Sequence, residues 1–129
     1  MRLLLDTHLL VWALATPSRL DAATRTLIED PTTEVLFSVA SIWEIAIKAA
    51  LGRTDFDFRP DAVAEAARAT GFIELPARAA GAARVADLPP HHRDPFDRLL
   101  VAQALTEPAR LYTADPALPP YSELVTLVP

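Results

Sequence analysis

The sequence predicts an α/β sandwich of three layers, with a central, mainly parallel sheet of four to five strands flanked by helices. Three observations predict it. Short apolar runs at residues 3–5, 35–38, 72–75 and 111–113 recur along the chain. Each has the length and continuity of a strand buried on both faces. Longer stretches with helical start and stop signals separate them, and strands that alternate with helices imply a parallel sheet.

Taken in order, residues 3–5 form the first strand, which ends at Asp6 and Thr7. Leu9, Leu10, Val11, Trp12 and Leu14 give the first helix, which stops before Pro17. A second helix spans 21–29 and is ended by Asp30 and Pro31, since the residue before a proline avoids the helical region. Residues 35–38 form the second strand. A third helix opens at Ser41, with Gly52 near its end. Residues 53–59 are a loop of mixed charge and aromatics. Pro60 suits the first turn of a fourth helix reaching about Thr70, where Gly71 is the stop. Residues 72–75 are the third strand, 77–86 an alanine-rich helix despite Gly81, and 88–93 a loop. Asp94 and Pro95 start a strong helix over 96–107. Residues 111–113 are the fourth strand, and 124–127 a candidate fifth.

A chain of 129 residues fits one domain, 1–129, and buries about two-thirds of its unfolded surface without staples. The composition, 51% hydrophobic and 22% charged, is that of a folded rather than a disordered chain. There is no cysteine. This excludes disulfides, thiolate zinc sites and cysteine nucleophiles, and it suits a reducing cytoplasm. No apolar run approaches the about 20 residues that cross a membrane. Arg2 and Asp6 bring charge too early for a signal peptide, so a cytoplasmic location is expected. The net charge of −5 argues against tight nonspecific nucleic-acid binding, which favours a basic surface. It does not argue against a site where clustered acids hold a cation that reverses the local sign.

Four acids share a topological position. Asp6 and Asp115 each close an apolar strand, and Glu44 and Asp97 are each placed in the first turn of a helix. Strand C-termini and helix N-termini share one edge of a parallel sheet, where ligand sites of open α/β folds form. Two carboxylates about 4 Å apart repel by roughly 4 kcal/mol at an effective dielectric near 20, and a hard divalent ion removes that cost. Oxygen ligands suit Mg²⁺ or Mn²⁺. One or two such ions can activate a water and neutralise a phosphodiester for in-line attack, leaving a 5′-phosphate and a 3′-hydroxyl.

Each acid alone also has a structural reading. Ser41 and Glu44 have capping-box spacing. Asp94 is a good N-cap, and Asp97 three residues later has the spacing to complete it. Asp115 before Pro116 is a common turn start, and Asp6 can cap the helix that follows it. Among other candidates, Thr113 faces the same edge as Asp115 and can bond an acid. Arg93 and Arg98 flank Asp97, either to contact phosphate or to pair with the acids. His8 is placed to line the cleft or to pack. His91 and His92 are adjacent on a proline-bounded loop, which favours solvent exposure, and Trp12 and Trp43 fall in apolar helical stripes and are expected in the core.

At these residues the sequence resembles PIN-domain proteins, specifically the VapC-type toxins of bacterial type II toxin–antitoxin pairs. The resemblance is carried by LLLDTH at 3–8, SIWEIAIK at 41–48, LPPHHRDPFDRLL at 88–100, AQA at 102–104 and YTAD at 112–115. The blocks run through most of the chain in the family's order, and the one through Asp97 is the most specific. The resemblance implies a PIN fold and Mg²⁺- or Mn²⁺-dependent endoribonuclease activity on RNA. It implies that Asp6, Glu44, Asp97 and Asp115 are the family's acidic quartet, with Thr113 beside it, whereas Asp94 stays a cap. It also implies a homodimer and a small cognate antitoxin that wraps the early helices. The segment after Asp115, with Pro119 and Pro120, is read as variable, and the resemblance implies nothing there.

Two other classes fit less well. A haloacid-dehalogenase-like phosphatase wants a second acid two residues after its nucleophile, and position 8 is His. A phosphoreceiver wants a lysine late in the chain, and the single lysine is Lys48. A non-catalytic PIN-fold interaction module would need no intact quartet.

Overall fold

The computed structural model describes residues 1–52 and 58–129, so most of the loop expected at 53–59 lies outside the described residues. Five strands, β1 (Arg2–Leu5), β2 (Glu34–Ser38), β3 (Ile73–Leu75), β4 (Arg110–Thr113) and β5 (Val125–Leu127), form one sheet in the order β3-β2-β1-β4-β5. Every pairing is parallel, with Leu4 opposite Leu36 on one side and Leu111 on the other. The fifth strand is therefore real, and the expected parallel sheet is present, with each of these pairings parallel.

Alternation along the strands builds two cores. Leu3, Leu5, Val35 and Phe37 face one side of the sheet, where α1 (Thr7–Ala15), α2 (Ala22–Glu29) and α4 (Pro60–Thr70) cover them through Leu9, Leu10, Leu27, Val63 and Ala67. Leu4, Leu36, Leu111 and Val125 face the other, under Leu100, Val101 and Ala104 of α6 (Pro95–Thr106). The helix α5 (Ala79–Arg84) packs on α6. There a Cβ on Gly81 would lie 3.4 Å from the Gln103 side chain, within ordinary packing distance. α3 (Val39–Ala50) serves both cores through Ala40 and Ile45.

Several boundaries differ from the sequence expectation. α3 starts at Val39, not Ser41, because Ser38, the last residue of β2, is also its N-cap and accepts the Ala40 N–H at 3.0 Å. The capping box expected at Ser41 and Glu44 is absent, since Ser41 is buried inside the helix. Trp43, expected in the core, is 57% exposed and aligns with Val39, Ile47 and Leu51 in an outward apolar stripe. Trp12 is half-buried, beneath the Arg19 guanidinium. The alanine-rich helix is shorter than expected and continues as a 3-10 turn over Val85–Asp87. Gly71 ends α4 with φ 97°, as its position after the last helical residue predicts.

No described helix is long and apolar enough to cross a membrane.

Candidate active site

The connectivity fixes where a site can form. From β1 the chain winds out through β2 to β3, then returns to place β4 on the other side of β1. The carboxyl ends of β1 and β4 thus flank the point where strand order reverses, and open α/β sheets form their crevice there. A cavity of about 470 Å³ occupies that position, lined by Asp6, Glu44, Asp97 and Asp115 together with His8, Lys48, His92 and Asp94.

Asp6 follows β1 directly and caps α1. Its Oδ1 accepts the Leu9 N–H at 2.8 Å, and its Oδ2 accepts from the Thr113 hydroxyl at 2.6 Å and the Ala114 N–H at 3.3 Å. The capping role foreseen for Asp6 is thus present along with its place in the cavity. Thr113, fully buried at the end of β4, also accepts the Asp115 N–H at 3.0 Å and so ties the two strand-end acids together. Burial pushes the Asp6 carboxyl above its ordinary range, against the opposing pull of the Thr113 and Leu9 hydrogen bonds.

Glu44 lies in the second turn of α3, not the first, and is buried. The Thr7 hydroxyl donates to its Oε1 at 2.7 Å, and Lys48, one turn on, pairs with its Oε2. Asp97 is in the first turn of α6 but does not cap it. Asp94 does, accepting the N–H groups of Phe96 and Asp97 at 2.8 and 3.3 Å. Burial, with the carboxylates of Asp94, Glu44 and Asp6 close by, raises the Asp97 carboxyl from 3.8 to about 7, although His92 draws it down. Asp115 accepts the Ala117 N–H at 2.9 Å, the turn role its proline neighbour suggests.

His92 is a further residue that sequence reasoning placed wrongly. It is not out in solvent, because its Nε2 lies 2.8 Å from Asp115 Oδ2 and 3.2 Å from Asp97 Oδ2. Its neighbour His91 is exposed and packs edge-on against Tyr121. Lys48 was also passed over, although its spacing of four from Glu44 on a helix was a readable signal.

Arg98 holds the loop that carries His92. Its Nη1 donates to Pro89 O, His92 O and the Tyr121 hydroxyl, and its Nη2 to Val85 O and Leu88 O, at 3.0–3.4 Å. The guanidinium is used on carbonyls and does not line the cavity. Arg93 is exposed on the same loop. A lysine cannot serve five acceptors in one plane. Arg98→Lys is therefore expected to lower stability by about 2–3 kcal/mol, read as a drop in the urea midpoint. An unchanged midpoint would refute the clamp.

The donor set suits a hard divalent cation. Four carboxylates line one cavity, and burial, with the neighbouring carboxylates of Asp94, Glu44 and Asp6 adding to it, raises the Asp97 carboxyl to about 7. Oxygen donors with uncompensated negative charge are what Mg²⁺ or Mn²⁺ requires. Among the described residues, one trio, His92, Asp97 and Asp115, also brings three ligand atoms within 4.8 Å of one another.

Comparison with known proteins agrees with this architecture. The PIN domain model matches residues 3–123, and the chain belongs to that family. Among solved structures, 11 chains match. One is a crystal structure of VapBC2 from Rickettsia felis bound to a DNA fragment from their promoter, with a TM-score of 0.70 and 14% identity over 98% of this chain and 97% of that one. The likeness is one of fold. No curated protein matches the sequence.

Proposed function

We propose that this PIN domain is a metal-dependent endoribonuclease and acts as the toxin of a type II toxin–antitoxin pair. The observation that carries the reading is the convergence of Asp6, Glu44, Asp97 and Asp115, from four separate elements, on one cavity at the strand-order reversal. We assign these four as the catalytic acids and as the ligands of Mg²⁺, or of Mn²⁺, with Thr113 in support. Such an ion, when bound, neutralises phosphodiester charge and activates a water for attack. The protein's own part is positional. Thr113 and the Leu9 N–H fix both oxygens of Asp6, Thr7 and Lys48 fix Glu44, and burial keeps bulk water from screening the charges. Arg93 is the cation we assign to substrate phosphate, and Arg98 we assign to the scaffold.

The partner reading has its own supports. The neighbouring fold is that of a complex, VapBC2. An apolar groove of about 190 Å³ between α1 and α4, lined by Val11, Leu14, Phe58 and Val63, suits an antitoxin segment. The exposed stripe of α3 is the face we assign to a second copy of the chain. The RNA substrate and the cysteine-free composition both point to action in the cytoplasm.

The test is cleavage of total cellular RNA by purified protein. Cutting is expected with Mg²⁺ or Mn²⁺, with 5′-phosphate ends, and none in EDTA. Full-rate cleavage in EDTA would overturn the reading.

A further inference from the structure

The trio of His92, Asp97 and Asp115 has the spacing of a nitrogen–oxygen–oxygen metal site. The hydrogen bonds around the ring point elsewhere. The backbone N–H of Asp94 donates to His92 Nδ1 at 3.0 Å. A nitrogen that accepts an N–H carries no proton of its own, so in the neutral ring the proton sits on Nε2. Nε2 is the atom that faces Asp115 Oδ2 at 2.8 Å and Asp97 Oδ2 at 3.2 Å. It is therefore a donor to both carboxylates and presents no lone pair to a cation. Binding an ion through Nε2 would move the proton to Nδ1 and set it against the Asp94 N–H, replacing a hydrogen bond with two opposed donors.

The ring is also held from behind. The His92 backbone N–H donates to the Tyr121 hydroxyl at 2.8 Å, which itself receives a bond from Arg98. Asp115, by contrast, sits on a turn with a side chain 35% exposed, and its Oδ1 is fixed by the Ala117 N–H. The other oxygen, Oδ2, is oriented by His92.

We propose that His92 is a positioning residue: its Nε2–H holds the Asp115 and Asp97 carboxylates in a fixed relation across the cavity, and the ring itself does not ligate the ion. The proposal rests on the metal-dependent nuclease reading for its effect on rate, but its geometric core does not.

The experiment has two arms. In protein labelled with ¹⁵N at the histidine rings, long-range ¹H–¹⁵N spectra are expected to show His92 as the Nε2–H tautomer without metal, and again after saturation with Mg²⁺. Pulsed electron paramagnetic resonance of the Mn²⁺-loaded protein is expected to show no ¹⁴N coupling from a ligating imidazole. A switch to the Nδ1–H tautomer on Mg²⁺ addition, or such a ¹⁴N coupling, would overturn the proposal. In the second arm, His92→Gln keeps an N–H donor near the Nε2 position and is expected to hold cleavage and Mn²⁺ affinity within about threefold of wild type. His92→Ala loses both by about 10–100-fold. Equal losses in the two variants would also overturn it. If the wild type cuts no RNA, the nuclease reading fails, while the tautomer and Mn²⁺ arms still decide the role of His92.

Discussion

Asp97→Asn is expected to reduce metal-dependent RNA cleavage by roughly 10²–10³-fold or more in kcat, with the fold intact. The substitution keeps the shape of the side chain and removes its charge. It leaves the start of α6 alone, because Asp94 provides the cap through the N–H groups of Phe96 and Asp97. The new amide oxygen can still accept from His92 Nε2, now 3.2 Å from the carboxylate it replaces. Loss of rate with an unchanged circular dichroism spectrum is thus the signature of a lost charge. Cleavage at the wild-type rate by Asp97→Asn would remove this acid from the reaction.

The same carboxyl makes the stability of the metal-free protein fall as pH rises. In the unfolded chain it titrates near 3.8, and in the folded protein at about 7. The folded state therefore binds the proton more tightly. The stability this contributes is fully present below about pH 4 and is lost as pH climbs through 7. Moving a carboxyl over that interval corresponds to at most ~4 kcal/mol, and little of it is screened, because the side chain is only 18% exposed. Asp6 is raised as well and acts in the same sense. Asp21, Asp30 and Asp61 are lowered, so their contribution is lost only as pH falls toward and below 4. Between pH 5 and 8 the raised acids set the trend. Urea titrations in EDTA are expected to give a lower midpoint at pH 8 than at pH 5. Mg²⁺ at about 100 times its Kd is expected to restore ~2.7 kcal/mol at pH 8. Asp97→Asn is expected to flatten the pH trend. Metal-free protein that is as stable at pH 8 as at pH 5 would contradict this electrostatic account.

The strand-end acids were the legible part of the site. An apolar run that stops at an acid marks both a buried strand and its exit, and Asp6 and Asp115 stand at the exits of the two adjacent central strands. Glu44 was less legible. β2 passes into α3 through Ser38 with no intervening loop, so the N-cap serine lies at the end of the apolar strand run and reads as part of it. Reading the start at Ser41 suggested a cap for Glu44, and the apolar stripe through Trp43 suggested burial, whereas that stripe faces outward. His92 was illegible for a different reason. Its position depends on Arg98 and Tyr121, one on α6 and one near the end of the chain, and contacts at that separation leave no local pattern. The PIN motif carried Glu44 and Asp97 where periodicity alone did not.

Because the described strand pairings are all parallel, the fold has an acid-lined end and a handle end. Every helix-to-strand return, at 30–33, 71–72 and 107–109, lies at the edge opposite the acids. The first of these is an exposed turn through Asp30, Pro31 and Thr32. A fluorophore or an immobilising linker placed there would sit a full strand length from the cavity. The protein can be tethered by that turn with the acid-lined edge left open to solvent.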